Sequence, residues 1–204
     1  MIVYIHGAHM TSAAFNYIKE KLPKHDFHNI EYNALEDLET TVGRVKTEVK
    51  SLDKPVKIVA HSLGGVIGLC LLQSEIPVEK MVTIGSPLGG VNLQAVRVNS
   101  YFMPLMVGFM PDEVARFLKF TNQISADSPV FRELHKSDFD QNKIFTIVTN
   151  MGKVFSAEDS DMVVSVKSQK HYDNVGSAEL NCSHSESLLR PETVQIIKRE
   201  LFDV

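Results

Sequence analysis

The sequence predicts an α/β domain: a mostly parallel central sheet with helices on both faces. Short β-rich runs alternate with helical patterns along most of the chain, an arrangement that builds crossover units rather than hairpins. The 204 residues fit a single domain, 1–204, with a core large enough to stand without covalent staples. Around Ser62 an apolar β-rich run, "VKIV" at 56–59, gives way to "LGGVIGLCLL" at 63–72, as when a buried strand feeds a buried helix.

The elements follow in order. "MIVYIH" opens as a strand at once. Phe15, Ile18 and Leu22 recur at helical spacing behind Ser12 as a cap, and "HNIEYN" at 28–33 is the second strand candidate. Leu35, Leu38, Val42, Val45, Val49 and Leu52 recur every three or four residues and mark one face of a long helix ending near "LDKP". After the strand and helix around Ser62 come "KMVTIGSP" at 80–87 and "KIFTIVTN" at 143–150, each a strand. Within 172–182 the pattern does not single out a strand. Pro191 suits a first helical position, with Val194, Ile197 and Leu201 as the apolar stripe of a final helix.

The alternation breaks between Gly89 and about residue 142, a span too long for an ordinary connection. It holds "YFMPLMVGFMPDEVARFLKF", rich in Met and Phe, then "SPVFRELH" with Ser128 as a cap and Pro129 inside the helix start. Residues 92–142 read as a helical insertion and a candidate lid, although Met and aromatic residues at such spacing serve as core just as readily.

Composition excludes several roles. The net charge of -4 leaves no basic footprint for nucleic acid. Cys70 and Cys182 lie too far apart for a metal-ligand motif or a disulfide framework, which points to a reducing compartment. The start "MIVYIHGAHM" has no basic leader or cleavage site, so a cytoplasmic protein is expected. The longest apolar stretch, 101–110, is too short for a transmembrane segment. The sequence leaves open the oligomeric state and peripheral contact with a membrane surface.

Ser62 needs a chemical reason. A serine hydroxyl is a weak nucleophile near neutral pH; it needs a base beside it, a group to orient that base, and donors for a developing oxyanion. A strand-to-helix turn would project Ser62 above the carboxyl edge of the sheet, with the small residues Ala60 and Gly64 on either side to relieve crowding. The helix that starts at Leu63 points its amide-rich end at the same place, so the Leu63 N–H is one oxyanion donor. A phosphate-cradling loop is the competing reading of a Gly-rich junction. It lacks the following Lys-Ser/Thr pair and the G-x-G-x-x-G spacing.

"AHSLGG" resembles the nucleophile elbow of the α/β-hydrolase superfamily, particularly its small bacterial lipases and esterases. "HGAHM" at 6–10, directly after the first strand, resembles the oxyanion loop of that superfamily, and "TIGSPLGG" at 83–90 resembles the strand and turn after the elbow strand. The resemblance implies that Ala8 supplies the second oxyanion amide, with His9 as the adjacent alternative. It also implies a reduced fold that lacks the first strands and exposes a sheet edge. The family order of Ser, then acid, then His is met by Ser62, Asp161 and His184. An acid loop of the form Asp-x-Val-Val followed by Ser favours Asp161 over Asp159 and Glu158. His171 follows the acid loop too closely to leave chain for the last strand, which favours His184.

Of the remaining histidines, His6 is expected to shape the oxyanion loop and His61 to pack under the elbow, while His25, His28 and His135 are expected to face solvent; Ser86 reads as a turn hydroxyl. The implied activity is hydrolysis of carboxylic esters with an apolar acyl part, needing neither metal nor organic cofactor; the partner is a small acyl ester or lipid. Acyl thioesters suit the same apparatus. A non-catalytic module that binds a lipid or a partner is the alternative of another class.

Overall fold

The computed structural model describes residues 1–91, 122–153 and 158–202. Its strands are β1 (Ile2–Ile5), β2 (Phe27–Ile30), β3 (Val56–His61), β4 (Val78–Ile84), β5 (Ile144–Asn150) and β6 (Gly176–Asn181). They form one sheet in the order β2-β1-β3-β4-β5-β6, and every neighbouring pair is parallel. The helices among the described residues are α1 (Asn16–Lys21), α2 (Leu38–Lys50), α3 (Leu63–Leu72), α4 (Pro129–Lys136), α5 (Val166–Gln169) and α6 (Pro191–Phe202). Short 3-10 turns precede α1, at Ser12–Phe15, and α6, at Glu186–Leu189.

Alternation along the strands divides the core. Val3 and Ile5 of β1, Ile58 and Ala60 of β3, and Met81 of β4 point to one face, where α2, α3 and α4 cover them. Ile2 and Tyr4 of β1, Val59, Val82, Ile84 and Ile147 point to the other, covered by α1 and α6. Each fully buried Ile or Val contributes about 1.5–3 kcal/mol by leaving water. α3 is buried on all sides from Leu63 to Leu71, as suits a helix wedged against the middle of the sheet.

Three expectations need correction. α2 starts at Leu38 and excludes Leu35, which is exposed, because the Asp37 carboxylate accepts from the Glu39 and Thr40 amides and caps the helix there. Ser12 is the first residue of a 3-10 turn and caps nothing with its side chain. His25 and His28, expected to face solvent, are half-buried and bonded, His25 to the Tyr4 hydroxyl and the Pro23 carbonyl and His28 to Glu48; His135 is exposed as expected, with its ring bonded to the Leu88 carbonyl.

The second strand is found, ending at Ile30. The strand that the pattern within 172–182 hid is β6, an edge strand whose residues are mostly exposed, so no apolar run marks it. The opposite edge is β2, only four residues long. Of the insertion, 92–121 lies outside the described residues; Ser128 and Pro129 start α4 as expected, the Ser128 hydroxyl accepting from the Phe131 amide. Among the described residues no helix is long and apolar enough to cross a membrane.

Candidate active site

Every group of interest sits where a parallel strand ends. β3 stops at His61 and α3 starts at Leu63, so Ser62 alone reverses the chain. Its φ of 53° and ψ of -125° lie outside the ordinary regions for a residue with a side chain and cost about 1–3 kcal/mol. The surroundings hold it there: the Ser62 N–H donates to the Ile84 carbonyl at 2.9 Å, and the Gly65 N–H to the Ser62 carbonyl at 2.9 Å.

The turn is possible only because α3 comes very close to the sheet. A methyl group on Gly64 would collide with the Ile5 and His6 carbonyls, and one on Gly65 with the Ser86 side chain. Ser86 is fully buried under this contact, with its hydroxyl donating to the Ile84 carbonyl.

The segment after β1 crosses the same turn. A Cβ on Gly7 would lie 3.0 Å from Ser62 Cβ and 2.8 Å from His61 Nδ1, so the backbone entering Ala8 runs directly beside the serine. Ala8 and His9 form the turn, His9 with φ 57°. His6 shapes it: its Nδ1–H donates to the Gly7 carbonyl at 2.7 Å, its ring stacks on Tyr32 with centroids 4.4 Å apart, and the Tyr32 hydroxyl donates back to the His6 carbonyl at 2.7 Å. Burial pushes the Tyr32 phenol far up its scale, so it remains a donor.

On the other side, β5 and β6 deliver an acid and an imidazole. Asp161 is fully buried and His184 nearly so, and His184 Nδ1 lies 2.6 Å from Asp161 Oδ2. A carboxylate can only accept, so the proton is on Nδ1 and Nε2 carries the lone pair. Oδ2 also accepts from the Thr149 hydroxyl, while Oδ1 accepts from the Val163 and Val164 amides at 2.9 and 2.7 Å. Burial works to raise the Asp161 pKa, but the hydrogen bonds from His184, Thr149 and Val164 outweigh it; the carboxyl sits below its ordinary value and stays ionised. The backbone joins in, with the His184 N–H donating to the Asp161 carbonyl at 3.2 Å.

His61 links the two halves. It is buried, its ring centroid is 4.6 Å from that of His184, and its Nε2–H donates to the His184 carbonyl at 3.1 Å. Its Nδ1 is buried without a partner. Burial, with the neighbouring His184, pushes its pKa down to about 3, so it is neutral.

The structure therefore joins Asp161 and His184 directly and sets both beside the Ser62 turn through His61. Among the described residues no hydrogen bond joins the Ser62 hydroxyl to His184; such bonds often tighten only with substrate bound. The Leu63 amide opens α3 immediately after Ser62, and Ala8 follows the Gly7 contact. The competing residues lie elsewhere: Asp159 and Glu158 are exposed, and His171 stacks on His135 with centroids 4.2 Å apart and packs against Gly89. A groove of about 380 Å³ lies between α2, α3 and α4, lined by Cys70, Gln73 and Leu134 rather than by these residues. Among the described residues no group of three or more His, Cys, Asp or Glu side chains converges as metal ligands do.

Two contributors escaped the sequence reading. Thr149 reads as one more β-branched strand residue, and nothing in the sequence pairs it with Asp161. Gly85 has φ 56°, and a Cβ there would lie 3.0 Å from Thr149 Oγ1, 3.1 Å from His184 Nδ1 and 3.2 Å from Asp161 Oδ2. The break in "TIGSP" between strand and turn is the one available signal for it.

No protein-family model matches the chain, and no curated protein matches it in sequence. Solved structures do match in shape. The mature lipase BlEst2 of Bacillus licheniformis is 18% identical with a TM-score of 0.61, covering 98% of this chain and 90% of that one. Phospholipase PlaB of Legionella pneumophila gives 11% and 0.71, covering 98% of this chain and 60% of the other. The Vlm2 thioesterase domain, solved with a bound dodecadepsipeptide, gives 15% and 0.59, covering 97% and 91%. At these identities the likeness establishes the fold, which is that of the α/β-hydrolases.

Proposed function

We propose that the chain is a serine hydrolase that cleaves carboxylic esters with an apolar acyl part through an acyl-enzyme on Ser62. One observation carries the reading: a buried, ionised Asp161 bonded to His184 Nδ1 beside a serine held in a strained strand-to-helix turn. Residues 1–204 act as one hydrolase domain, with 92–142 as an insertion in it.

In this mechanism the His184 Nε2 lone pair takes the Ser62 proton as the oxygen attacks the acyl carbonyl. The Ala8 and Leu63 amides hold the resulting oxyanion, where loss of one such donor costs about 3–4 kcal/mol. His184 then gives its proton to the leaving alcohol and later activates the water that releases the acid. Asp161 fixes the tautomer and stabilises the imidazolium. The apolar acyl part is read from the Met- and Phe-rich sequence of 101–120.

Ser62→Ala should abolish turnover of a graded panel of acyl esters while the chain stays folded, and a fluorophosphonate should label the unmodified chain at Ser62. Unchanged turnover in Ser62→Ala would sink the assignment. A folded chain that resists the label would favour the non-catalytic binding module. The shape likeness to a thioesterase domain favours one further reading, acyl thioesters as substrate; paired oxygen esters and thioesters of equal chain length separate the two.

A further inference from the structure

Thr149 and Gln169 stand outside the three residues just assigned, yet the geometry couples them to Asp161. β4 and β5 run together only as far as Ile84 and Ile147. The next bond, from the Gly85 N–H to the Ile147 carbonyl, is the last between them, because Gly85 turns the chain away. Backbone groups two residues apart in a strand face the same side, so the N–H and C=O of Thr149 point into the gap that β4 leaves.

Gln169, at the end of α5 and 1% exposed, fills the gap. Its Oε1 accepts from the Thr149 N–H at 2.8 Å and its Nε2–H donates to the Thr149 carbonyl at 2.9 Å. A carboxamide is a peptide group in miniature, and here it stands in for the missing strand. The same Nε2 reaches the Val164 carbonyl at 3.3 Å, and that carbonyl also accepts from the Asp161 N–H at 3.2 Å. One buried side chain thus ties the end of β5 to the loop that carries the acid.

The Thr149 hydroxyl completes the link. It has one proton and two neighbours, Asp161 Oδ2 and, at 3.2 Å, Gln169 Oε1. The ionised carboxylate is the stronger acceptor, so the proton goes to Asp161.

We infer that Thr149 and Gln169 are positioning residues: Gln169 replaces the departed strand and so aims the Thr149 hydroxyl at Asp161, which holds the carboxylate in line with His184. The inference rests on the function proposed above for Asp161 and His184. The hydroxyl shares the carboxylate charge with the imidazole, so its loss concentrates that charge on His184 and makes the imidazole more basic. The other titratable groups facing the pair are His61, at the His184 ring and carbonyl, and Cys182, whose thiol burial pushes up to about 11. Thr149→Val, which is isosteric, changes neither.

The test measures ester turnover against pH, and the titration of His184 by NMR, for the full chain and for Thr149→Val, Thr149→Ser and Gln169→Glu. Thr149→Val should lower kcat by about tenfold or more with KM within about twofold, and raise both the acid limb of the profile and the His184 titration by about half a pH unit. Thr149→Ser should stay within about threefold of the parent. Gln169→Glu loses the Nε2 donor and should also lower kcat and raise the titration, which keeps the test decisive if Thr149→Val does not fold. A titration unmoved in the folded variants, or Thr149→Ser as impaired as Thr149→Val, overturns the inference. If the unmodified chain neither turns over esters nor takes the fluorophosphonate, the proposed function fails instead, and the His184 titration still decides the role of Thr149.

Discussion

His61 gives the chain a stability that falls on mild acidification, and the size of the effect follows from its surroundings. The ring is 1% exposed, one nitrogen donates to the His184 carbonyl, and the other has no partner. Protonation would bury a charge, which is why its pKa drops from 6.5 to about 3. The unfolded chain binds this proton below pH 6.5 while the folded chain does not, so stability is lost as pH falls from 6.5 towards 3. The loss is about 1.4 kcal/mol per pH unit. Between pH 6.5, where the unfolded imidazole is half protonated, and pH 4.5 it amounts to about 2 kcal/mol, a large share of the 5–15 kcal/mol typical of a domain. Asp161 is lowered instead, so its contribution is lost only below the ordinary carboxylate range, outside this window. Urea unfolding of the parent and of His61→Gln, each at pH 6.5 and 4.5, isolates the effect. The parent midpoint should fall by about 1 M or more beyond the fall in the variant. Equal falls would refute the buried, neutral His61.

Two other outcomes test the acid and its setting. Asp161→Asn keeps the volume but gives His184 Nδ1 an amide to face, so the tautomer is lost and kcat should drop by about 10⁴-fold with near-native stability in urea unfolding. Gly85→Ala forces a side chain into a left-handed backbone and a Cβ to within 3.1 Å of His184 Nδ1; kcat should fall by about tenfold or more while the far-ultraviolet dichroism is retained.

The strands around Ser62 were legible because they are buried over most of their length and read as mainly apolar runs, broken by charge only near their starts at Lys57, Glu79 and Lys80, and the turn was legible because it needs Ala60 and Gly64 in fixed places. β6 was not, since an edge strand with "GSAELN" buries too little to carry a pattern. Leu35 shows the limit of periodicity: it falls on the apolar stripe of α2, but Asp37 ends the helix before reaching it. The pairing of Asp161 with His184 was legible in their order and local motif, features that survive without distance information. Thr149 and Gln169 were not, because their roles exist only where the sheet splays after Gly85, and no local composition encodes that divergence.

His184 is anchored by both of its own peptide groups: its N–H goes to Asp161, and its C=O receives the Ser187 hydroxyl at 2.6 Å as well as His61. The residue cannot travel without breaking all three. What freedom the imidazole keeps is therefore torsional, confined to two side-chain bonds. If hydroxyl and imidazole must approach each other for reaction, rotation at Ser62 or His184 will bring them together, on the timescale of rotamer exchange rather than of loop rearrangement.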